Sequence, residues 1–443
     1  MSFDVLALTY TSHGRDVDIY EPILSYLEIK YGLNVQRGCG RDYYKLIMDG
    51  KPKVVMVSPR GSAQGVNAVR FAKCLGIAVV GVECEGIYLD SVKNYYWQVD
   101  KPEYNKPDLY LLWSSASEKK LESAFPGIVK KHNMHVVGGC GFDRYKFMCL
   151  MGKDEFLSKY KMNRYKKVVG FAGFGFVLSV IENLNKYQED NNMQLSDFQM
   201  PFHVEATKVL NQILRELIKK NKDVLFLLKF HPSAEISPEF DGLQENENVL
   251  AFDREENIAD LINVCDLWMG YETTSAVEAW MLGKTTVLIN PLGWKGVRRD
   301  FSNGSPIYKS TDEVQHALDE FYSTGKICDF EDLNNKRRNI IKDVMEYDDG
   351  MNHIRAGELV YDLFKSYKST PVQDGFNVRR NYLIRSFKKM LFDLPLKKFK
   401  FYRKLFPMFS MWEKLYNDSD REWQHAMFFC SLRKFYKENN IVS

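Results

Sequence analysis

The stretch DLWMGYETTSAVEAWMLGKTTVLIN, residues 266–290, decides the fold. It contains a short apolar strand, a turn rich in hydroxyl side chains, an apolar helix and a second apolar strand. A strand, a helix and a strand in succession are typical of a parallel pair joined by a crossover helix. Apolar strands alternating with helices predict an α/β class with a doubly wound sheet.

The same alternation runs along most of the chain. Strands are expected at FDVLALTY (3–10), PKVVMVSP (52–59), IAVVGVECEG (77–86) and DLYLLWSS (108–115), and HVVGGCGFDRY (135–145) ends this first series. A second series has strands at KKVVGFAGFGF (166–176), DVLFLLKFHP (223–232) and NVLAFD (248–253). Helices are expected at DIYEPILSYLEIKYG (18–32, ending at Gly32), GVNAVRFAKCLG (65–76) and HVEATKVLNQILRELIKKN (203–221), with a loop at 180–200.

These two series predict two α/β halves of similar size. We expect a Rossmann-like N-terminal acceptor domain over 1–150, a second Rossmann-like domain that binds the nucleotide-sugar over 167–365, and a basic amphipathic helical region over 366–443. Two such halves favour a GT-B-like architecture with a cleft between the domains. In open α/β sheets, ligands bind beyond the carboxyl ends of the strands.

Composition narrows the class of protein. The chain has 443 residues, is 45% hydrophobic and has a net charge of +3, which is typical of a globular protein. Apolar runs such as VLFLL (224–228) are far shorter than the ~18 residues of a membrane span. The N-terminus lacks the basic region of a signal peptide. The eight cysteines form no CxxC pair, which favours free thiols in a reducing, cytoplasmic environment.

The charge is concentrated near the C-terminus. Residues 379–404 contain ten Lys or Arg and one Asp, so this segment carries +9 and the remainder of the chain −6. Within 376–394, the apolar residues Leu383, Phe387, Met390, Leu391 and Leu394 recur at helical spacing. One interpretation is that 376–410 docks on an anionic inner-membrane surface. The other is a C-terminal helix that packs on the domains. Nucleic acid is not an expected partner, because no binding module accompanies the charge.

The turn before the 275–281 helix carries Thr273, Thr274 and Ser275. Any of the three can cap the helix. The same hydroxyls, at a strand's carboxyl end and a helix start, also suit a phosphate. Glu278, one turn further on, either accepts hydrogen bonds from ribose hydroxyls or faces solvent.

Two other stretches of the second half suit the same anion. His231 ends an apolar strand and Pro232 turns the chain away, so an imidazole can donate to a phosphate oxygen there. Gly173 and Gly175 allow a close approach of backbone to a nucleotide, although two glycines without a longer fingerprint are a weak signal.

In the first half, Glu83 and Glu85 lie at the end of a strand, on the same face by period-two alternation, and precede a glycine. A carboxylate there can serve as a general base; an exposed loop acid is the alternative. Ser58, Arg60 and Arg15 follow other strands and suit an acidic sugar, or are solvated loop residues.

The sequence contains no HExxH motif, no histidines at zinc-binding spacing and no GxxxxGK[ST] loop. We therefore expect neither a metal nor another cofactor.

Glu83-Cys84-Glu85-Gly86, His231-Pro232 and Thr273-Thr274-Ser275, in this order, resemble the motifs of bacterial sialyltransferases and related Kdo transferases of GT-B fold. The wider pattern, over about 1–365, is similar to the bacterial surface carbohydrate biosynthesis proteins. It includes GRDVDIYEPILSYL, VVGGCGFDRY, FAGFGF, ENIADLINVCDLWMGYETTSAVEAWMLGKTTVLINP and YDDGMNHIRAGELV. Cys84 stands where those families have an acid, and GGCGFDRY lacks their Asn-Pro.

The resemblance implies transfer of a nonulosonic acid from a CMP-activated donor to a surface glycan or lipid-linked acceptor. It implies a carboxylate base, Glu83 or Glu85, and binding of the CMP phosphate by His231 and the Thr273–Ser275 turn without a metal. Inversion is the expected stereochemistry. A UDP-sugar 2-epimerase-like enzyme and a non-catalytic assembly protein of the polysaccharide machinery are the alternatives.

Overall fold

The structure is a computed structural model, and it describes residues 2–12, 14–58, 63–84, 86, 106–174, 200–231, 237–253, 255–271, 273–293, 300–373, 377–393 and 418–442. The chain forms two compact units. Unit 1 comprises 1–148 and 342–443, and unit 2 comprises 149–341. Each is built on a six-stranded sheet whose strand pairs are all parallel. The predicted α/β class with two doubly wound sheets is confirmed.

Unit 1 has the strand order β2-β1-β3-β4-β5-β6. Its strands are β1 (Val5–Thr9), β2 (Val35–Cys39), β3 (Val54–Val57), β4 (Ala78–Val82), β5 (Leu109–Leu112) and β6 (Met134–Val136). Its first helices are α1 (Arg15–Tyr31), α2 (Tyr43–Gly50), α3 (Ala63–Cys74), α4 (Ser115–Ala124), α5 (Ile128–Lys131) and α6 (Arg144–Phe147).

Both faces of this sheet are covered, which explains why its strands are apolar throughout. On one face, Leu6 and Leu8 pack with aromatic residues of α2 and α3. Strand alternation puts Val5 and Thr9 on the opposite face, and α1 contacts β1 as well. Helix α1 ends as predicted: Gly32 adopts φ 64°, a left-handed conformation that only glycine adopts readily.

The C-terminal part of the chain returns to unit 1. Helices α14 (Asn352–Ser366) and α16 (Asp418–Glu438) both pack on α1, and Leu432 and Tyr436 of α16 join Tyr26 in one apolar cluster. Helix α13 (Asn334–Met345) leads from unit 2 into this segment, and α15 (Val378–Asp393) lies beside α2. Residues 342–365, which the sequence assigned to the second domain, thus pack with the first.

Unit 2 has the order β12-β11-β10-β7-β8-β9. Its strands are β7 (Lys167–Ala172), β8 (Val224–Lys229), β9 (Val249–Phe252), β10 (Leu267–Gly270), β11 (Thr285–Ile289) and β12 (Ile307–Tyr308). Its helices are α7 (Lys153–Lys159), α8 (Met200–Lys220), α9 (Ile258–Val264), α10 (Ser275–Met281), α11 (Thr311–Thr324) and α12 (Cys328–Asp332). The opening stretch of sequence forms β10, α10 and β11, a parallel pair as expected.

The structure adds β2 and β12, which the sequence did not predict. β2 reads VQRGC and contains a charged residue and a glycine, and β12 has only two residues; neither has the apolar run that marks the other strands. The loop expected at 180–200 lies outside the described residues, apart from the start of α8. Over the described ranges, no helix is long and apolar enough to cross a bilayer.

Candidate functional site

The strand order brings predicted site residues together at one edge of each sheet. In unit 2 the order reverses between β7 and β10, with β8 on the other side of β7. Because parallel strands share one carboxyl edge, the residues after these three strands are neighbours. They are Gly173, His231 and Thr273. Such a reversal point is where open α/β sheets bind their ligands.

Gly173 lies at a close approach of backbone and side chains. Its N–H donates to the Lys229 carbonyl at 2.9 Å, and a Cβ there would meet Phe240 at 2.9 Å and Glu239 Oε1 at 3.0 Å. The next N–H, that of Phe174, donates to the same Glu239 oxygen at 2.7 Å. A fully buried carboxylate, Glu239, therefore fixes the backbone where β7 ends.

The three hydroxyls of the Thr273–Ser275 turn have different environments. Ser275 is buried, and its Oγ accepts a hydrogen bond from Trp268 Nε1 at 2.8 Å. Thr273 Oγ1 lies 2.6 Å from that Oγ and accepts the Ser275 N–H at 3.1 Å. Thr274, at the N-cap position, makes no capping bond with its side chain. Thr273 therefore accepts the N–H of the first residue of α10, whereas Ser275 connects the turn to β10.

His231 and Glu278 are both half-buried at this edge of unit 2. His231 follows Phe230, whose N–H continues the ladder to Phe252 at 2.9 Å, so the strand runs up to the histidine. Glu278 lies in the first turn of α10. Beside them, Lys229 is buried and its Nζ donates to the Asp253 carbonyl. Lys229 joins the ends of β8 and β9.

In unit 1 the carboxyl ends of β1, β3 and β4 are neighbours in the same way. Glu83 is fully buried; its N–H donates to the Leu111 carbonyl at 3.2 Å, and its carbonyl accepts Trp113 Nε1 at 2.7 Å. Gly86 lies against the Trp113 ring, since a Cβ there would meet that ring at 2.2 Å. The chain around the acidic motif is therefore packed onto the strand that follows.

Of the remaining predicted residues, the structure describes two, both in unit 1. Ser58 is half-buried after β3, and Arg15 is exposed at the start of α1. Glu85, Arg60, Pro232 and Gly175 lie outside the described residues.

Two motifs of the family resemblance have a structural role. Asp143 of the FDRY segment accepts hydrogen bonds from the His353 N–H and Nδ1, both at 2.7 Å, and from Asn352 Nδ2 at 2.8 Å. His353 Nε2 lies 2.7 Å from the Tyr436 hydroxyl. Burial raises the pKa of Asp143, although His353 opposes this shift. The buried network joins α14 and α16 to the start of α6.

Sequence reasoning missed three polar residues at these edges: Glu239, Lys229 and Arg421. The last belongs to α16 and donates from Nη2 to Thr9 Oγ1 at 2.7 Å. No motif marks any of them; their positions depend on packing between distant segments. Within the described ranges, no cluster of three or more His, Cys, Asp or Glu side chains is arranged to hold a metal ion.

The chain was compared with known proteins. A putative UDP-N-acetylglucosamine 2-epimerase from Listeria monocytogenes superposes with a TM-score of 0.51 at 12% identity, over 84% of this chain and 99% of the other. S. aureus MnaA, solved with UDP, superposes with a TM-score of 0.51 at 13% identity, over 85% of this chain and 100% of the other. The wall teichoic acid polymerase TagF with CDPG superposes with a TM-score of 0.51 at 12% identity, over 82% of this chain and 89% of the other.

This chain has a GT-B-like fold. No protein-family model matches the sequence, and no curated protein matches it. At 12–13% identity the similarity concerns the fold alone. A GT-B-like fold does not identify the substrate, which has to be inferred from the chemistry of the site residues.

Proposed function

We propose that this chain is a glycosyltransferase of surface carbohydrate biosynthesis whose nucleotide-activated donor binds at the carboxyl edge of unit 2. The observation that carries the proposal is the adjacency of β8, β7 and β10, which places His231, Gly173 and Thr273 around the point of strand-order reversal. A half-buried imidazole and a hydroxyl turn at this point suit a nucleotide phosphate.

The proposed donor is a CMP-activated nonulosonic acid, by resemblance of the three short motifs. In the reaction, an acceptor oxygen forms a bond to the anomeric carbon while the bond from that carbon to the phosphate oxygen breaks. CMP leaves with the electron pair. His231 and Thr274 donate hydrogen bonds to the phosphate as its charge grows, which lowers the barrier without a metal.

The proposed base belongs to the acidic motif after β4 and takes the acceptor hydroxyl's proton. Glu83 is fully buried, with its backbone bonded to Leu111 and Trp113. A base must come within hydrogen-bond reach of the substrate proton. That requirement favours Glu85, which follows two residues later, and the Glu83→Gln and Glu85→Gln variants compare the two directly.

Nucleotide specificity tests the donor. We expect CMP to raise the melting temperature of the protein more than UDP, CDP or GDP, and EDTA to leave the CMP shift unchanged. Selective stabilisation by UDP would favour the 2-epimerase-like alternative, in keeping with the UDP bound to MnaA. No shift with any nucleotide would favour a non-catalytic assembly protein.

A second proposal concerns where the protein works. Helix α15 rests on unit 1 through one face: the rings of Tyr382 and Tyr44 are 5.9 Å apart, and Arg385 lies over the Tyr43 ring. The other face is exposed and carries Leu383, Ile384 and Phe387, of which Leu383 is 58% exposed. Exposed Arg379 and Arg380 precede them. Apolar residues beside basic ones suit an anionic bilayer surface.

Vesicle flotation tests this second proposal. Because α16 packs into unit 1, deleting the whole C-terminal region would disturb the fold, so point variants are the better choice. We expect Leu383→Ser with Phe387→Ser to abolish flotation with vesicles rich in anionic lipid, whereas Trp423→Ser, at the exposed tryptophan of α16, should not. Unchanged flotation of the double variant would exclude this face as the docking site.

A further inference from the structure

The first two turns of α16 lie at the carboxyl edge of unit 1, at the end of the first strand. Arg421 donates from Nη2 to Thr9 Oγ1 at 2.7 Å and to the Thr11 carbonyl at 3.0 Å. The sequence separations are 412 and 410 residues. Thr9 Oγ1 itself donates to the Thr11 carbonyl at 2.9 Å, so one guanidinium holds both ends of a tight bend directly after β1.

The face of α16 that meets α1 changes character along its length. Toward its C-terminal end, the buried residues are Phe428, Leu432 and Tyr436, and they pack as an ordinary apolar interface. Toward β1 they are Arg421 and Gln424, each only 7% exposed. Burying polar groups costs free energy, whereas burying apolar residues at the same positions would not. If the only role of α16 were to pack on unit 1, apolar residues would serve better at this end of the helix.

Two buried polar atoms lack a hydrogen-bond partner among the residues that the structure describes. They are Gln424 Oε1 and the hydroxyl of Tyr20, in the second turn of α1. Burial raises the pKa of Tyr20, with Cys84 and Asp16 contributing; Cys84 belongs to the acidic motif after β4. Gln424 lies one turn along α16 from Arg421, and Tyr20 lies within electrostatic range of Tyr10 in the bend and of Cys84.

We propose that the N-terminal turns of α16 complete the substrate side of unit 1, with Arg421 as a positioning residue for the bend Thr9–Ser12. This bend follows β1, the strand beside the reversal point of the sheet, where a ligand of unit 1 is expected. The inference deepens the proposed function and rests on it for the ligand: the hydroxyl-bearing sugar acceptor rather than the nucleotide.

The test compares two variants that loosen the same helix at different ends. Arg421→Met removes the donors to the bend and keeps an unbranched, flexible side chain of similar stem. Tyr436→Phe removes the hydroxyl that pairs with His353 Nε2 at 2.7 Å and serves as the matched control. We expect kcat/KM for the acceptor to fall about tenfold or more in Arg421→Met, with the CMP-induced shift in melting temperature unchanged. Tyr436→Phe should lower the melting temperature but leave the acceptor's kinetic constants near those of the unchanged protein.

Hydrogen exchange provides a readout that does not depend on turnover. Peptides covering Thr9–Ser12 should exchange faster in Arg421→Met and not in Tyr436→Phe. If Arg421→Met fails to fold, Arg421→Lys keeps the charge on a shorter side chain with a compact ammonium group, and should show the same effect more weakly. Unchanged exchange in the bend, or equal kinetic losses in both variants, would overturn the proposal. If the protein uses a UDP-sugar instead, the proposed donor is wrong, while the same comparison still tests Arg421.

Discussion

Asp143 and His353 are joined by two hydrogen bonds of 2.7 Å across 210 residues of sequence. Both residues are buried, and Asn352 and Tyr436 complete the network. The carboxylate thus connects the end of the first stretch of unit 1 with the two helices that return to it. Removing one partner leaves the others buried without hydrogen bonds, which is costly.

Asp143→Ala should therefore lower the free energy of unfolding by about 3 kcal/mol. The control is Asp223→Ala, which breaks the exposed 2.8 Å pair with Lys167 and should cost less than about 1 kcal/mol. Urea denaturation of both variants measures the difference. Equal losses would contradict the structural role of the network.

Replacement of His231 tests the site in unit 2. His231→Ala should reduce turnover by about 10²–10³, the usual effect of losing one donor to a charge that develops in the transition state. The melting temperature should change little, because the side chain is only half-buried. His135→Ala is the matched control, since His135 of unit 1 is exposed and its Nε2 lies 2.9 Å from the exposed Asn133 Oδ1. Near-normal turnover of His231→Ala would contradict the assignment of His231 as a phosphate ligand.

The hydroxyl residues of the Thr273–Ser275 turn should differ in role, with Ser275 stabilising the fold and Thr274 binding the ligand. Ser275→Ala leaves the Trp268 indole N–H buried without an acceptor and should cost about 1–3 kcal/mol of stability. Thr274→Val removes a half-buried hydroxyl that makes no cap and should weaken CMP binding more than it lowers stability. Chemical denaturation and nucleotide titration of the two variants distinguish these outcomes; identical profiles would argue against the division.

Acid stability should depend on Glu21, which lies in α1 and bonds Arg37 of β2 and His425 of α16. Burial raises the pKa of Glu21, but the charge of Arg37 and hydrogen bonds from Arg37 and His425 outweigh it, so the pKa lies below its ordinary value. A carboxyl with a depressed folded pKa contributes stability above its unfolded pKa, about 4.3, and loses it as the pH falls further.

Melting curves measured from neutral pH down to about pH 3 should therefore drop less steeply for Glu21→Gln than for the unchanged protein. The variant is expected to be less stable at neutral pH and to approach the unchanged protein in acid. Parallel curves over the whole range would mean that Glu21 has an ordinary pKa in the folded chain.

The sequence predicted what depends on local pattern and on strand direction. Apolar strands and Gly32 located the elements, and parallel strands share one carboxyl edge, so His231, Gly173 and Thr273 were expected close together. The sequence could not show that the Ser275 hydroxyl is occupied by Trp268 Nε1, because that bond depends on how the side chains of β10 and α10 pack. All three hydroxyls of the turn therefore had equal standing as phosphate ligands.

Contacts between residues far apart in sequence could not be predicted from the sequence either. Arg421 lies beside a basic segment and was grouped with it, yet it reaches Thr9 at the other end of the chain. Glu83 and Glu85 were equivalent by period-two alternation, whereas the buried position of Glu83 depends on the neighbouring strand and Trp113. Neither fact leaves a signature in residue spacing.

The return of the last helices to unit 1 has a consequence for biosynthesis. Unit 2, residues 149–341, is continuous in sequence, whereas unit 1 is completed only by residues 342–443. On the ribosome, the partners of Tyr26 and Thr9 in α16 are made after the whole of unit 2. Unit 2 can therefore finish folding first, and the first half of unit 1 must wait with the α1 surface uncovered and accessible to chaperones until α16 has been synthesised.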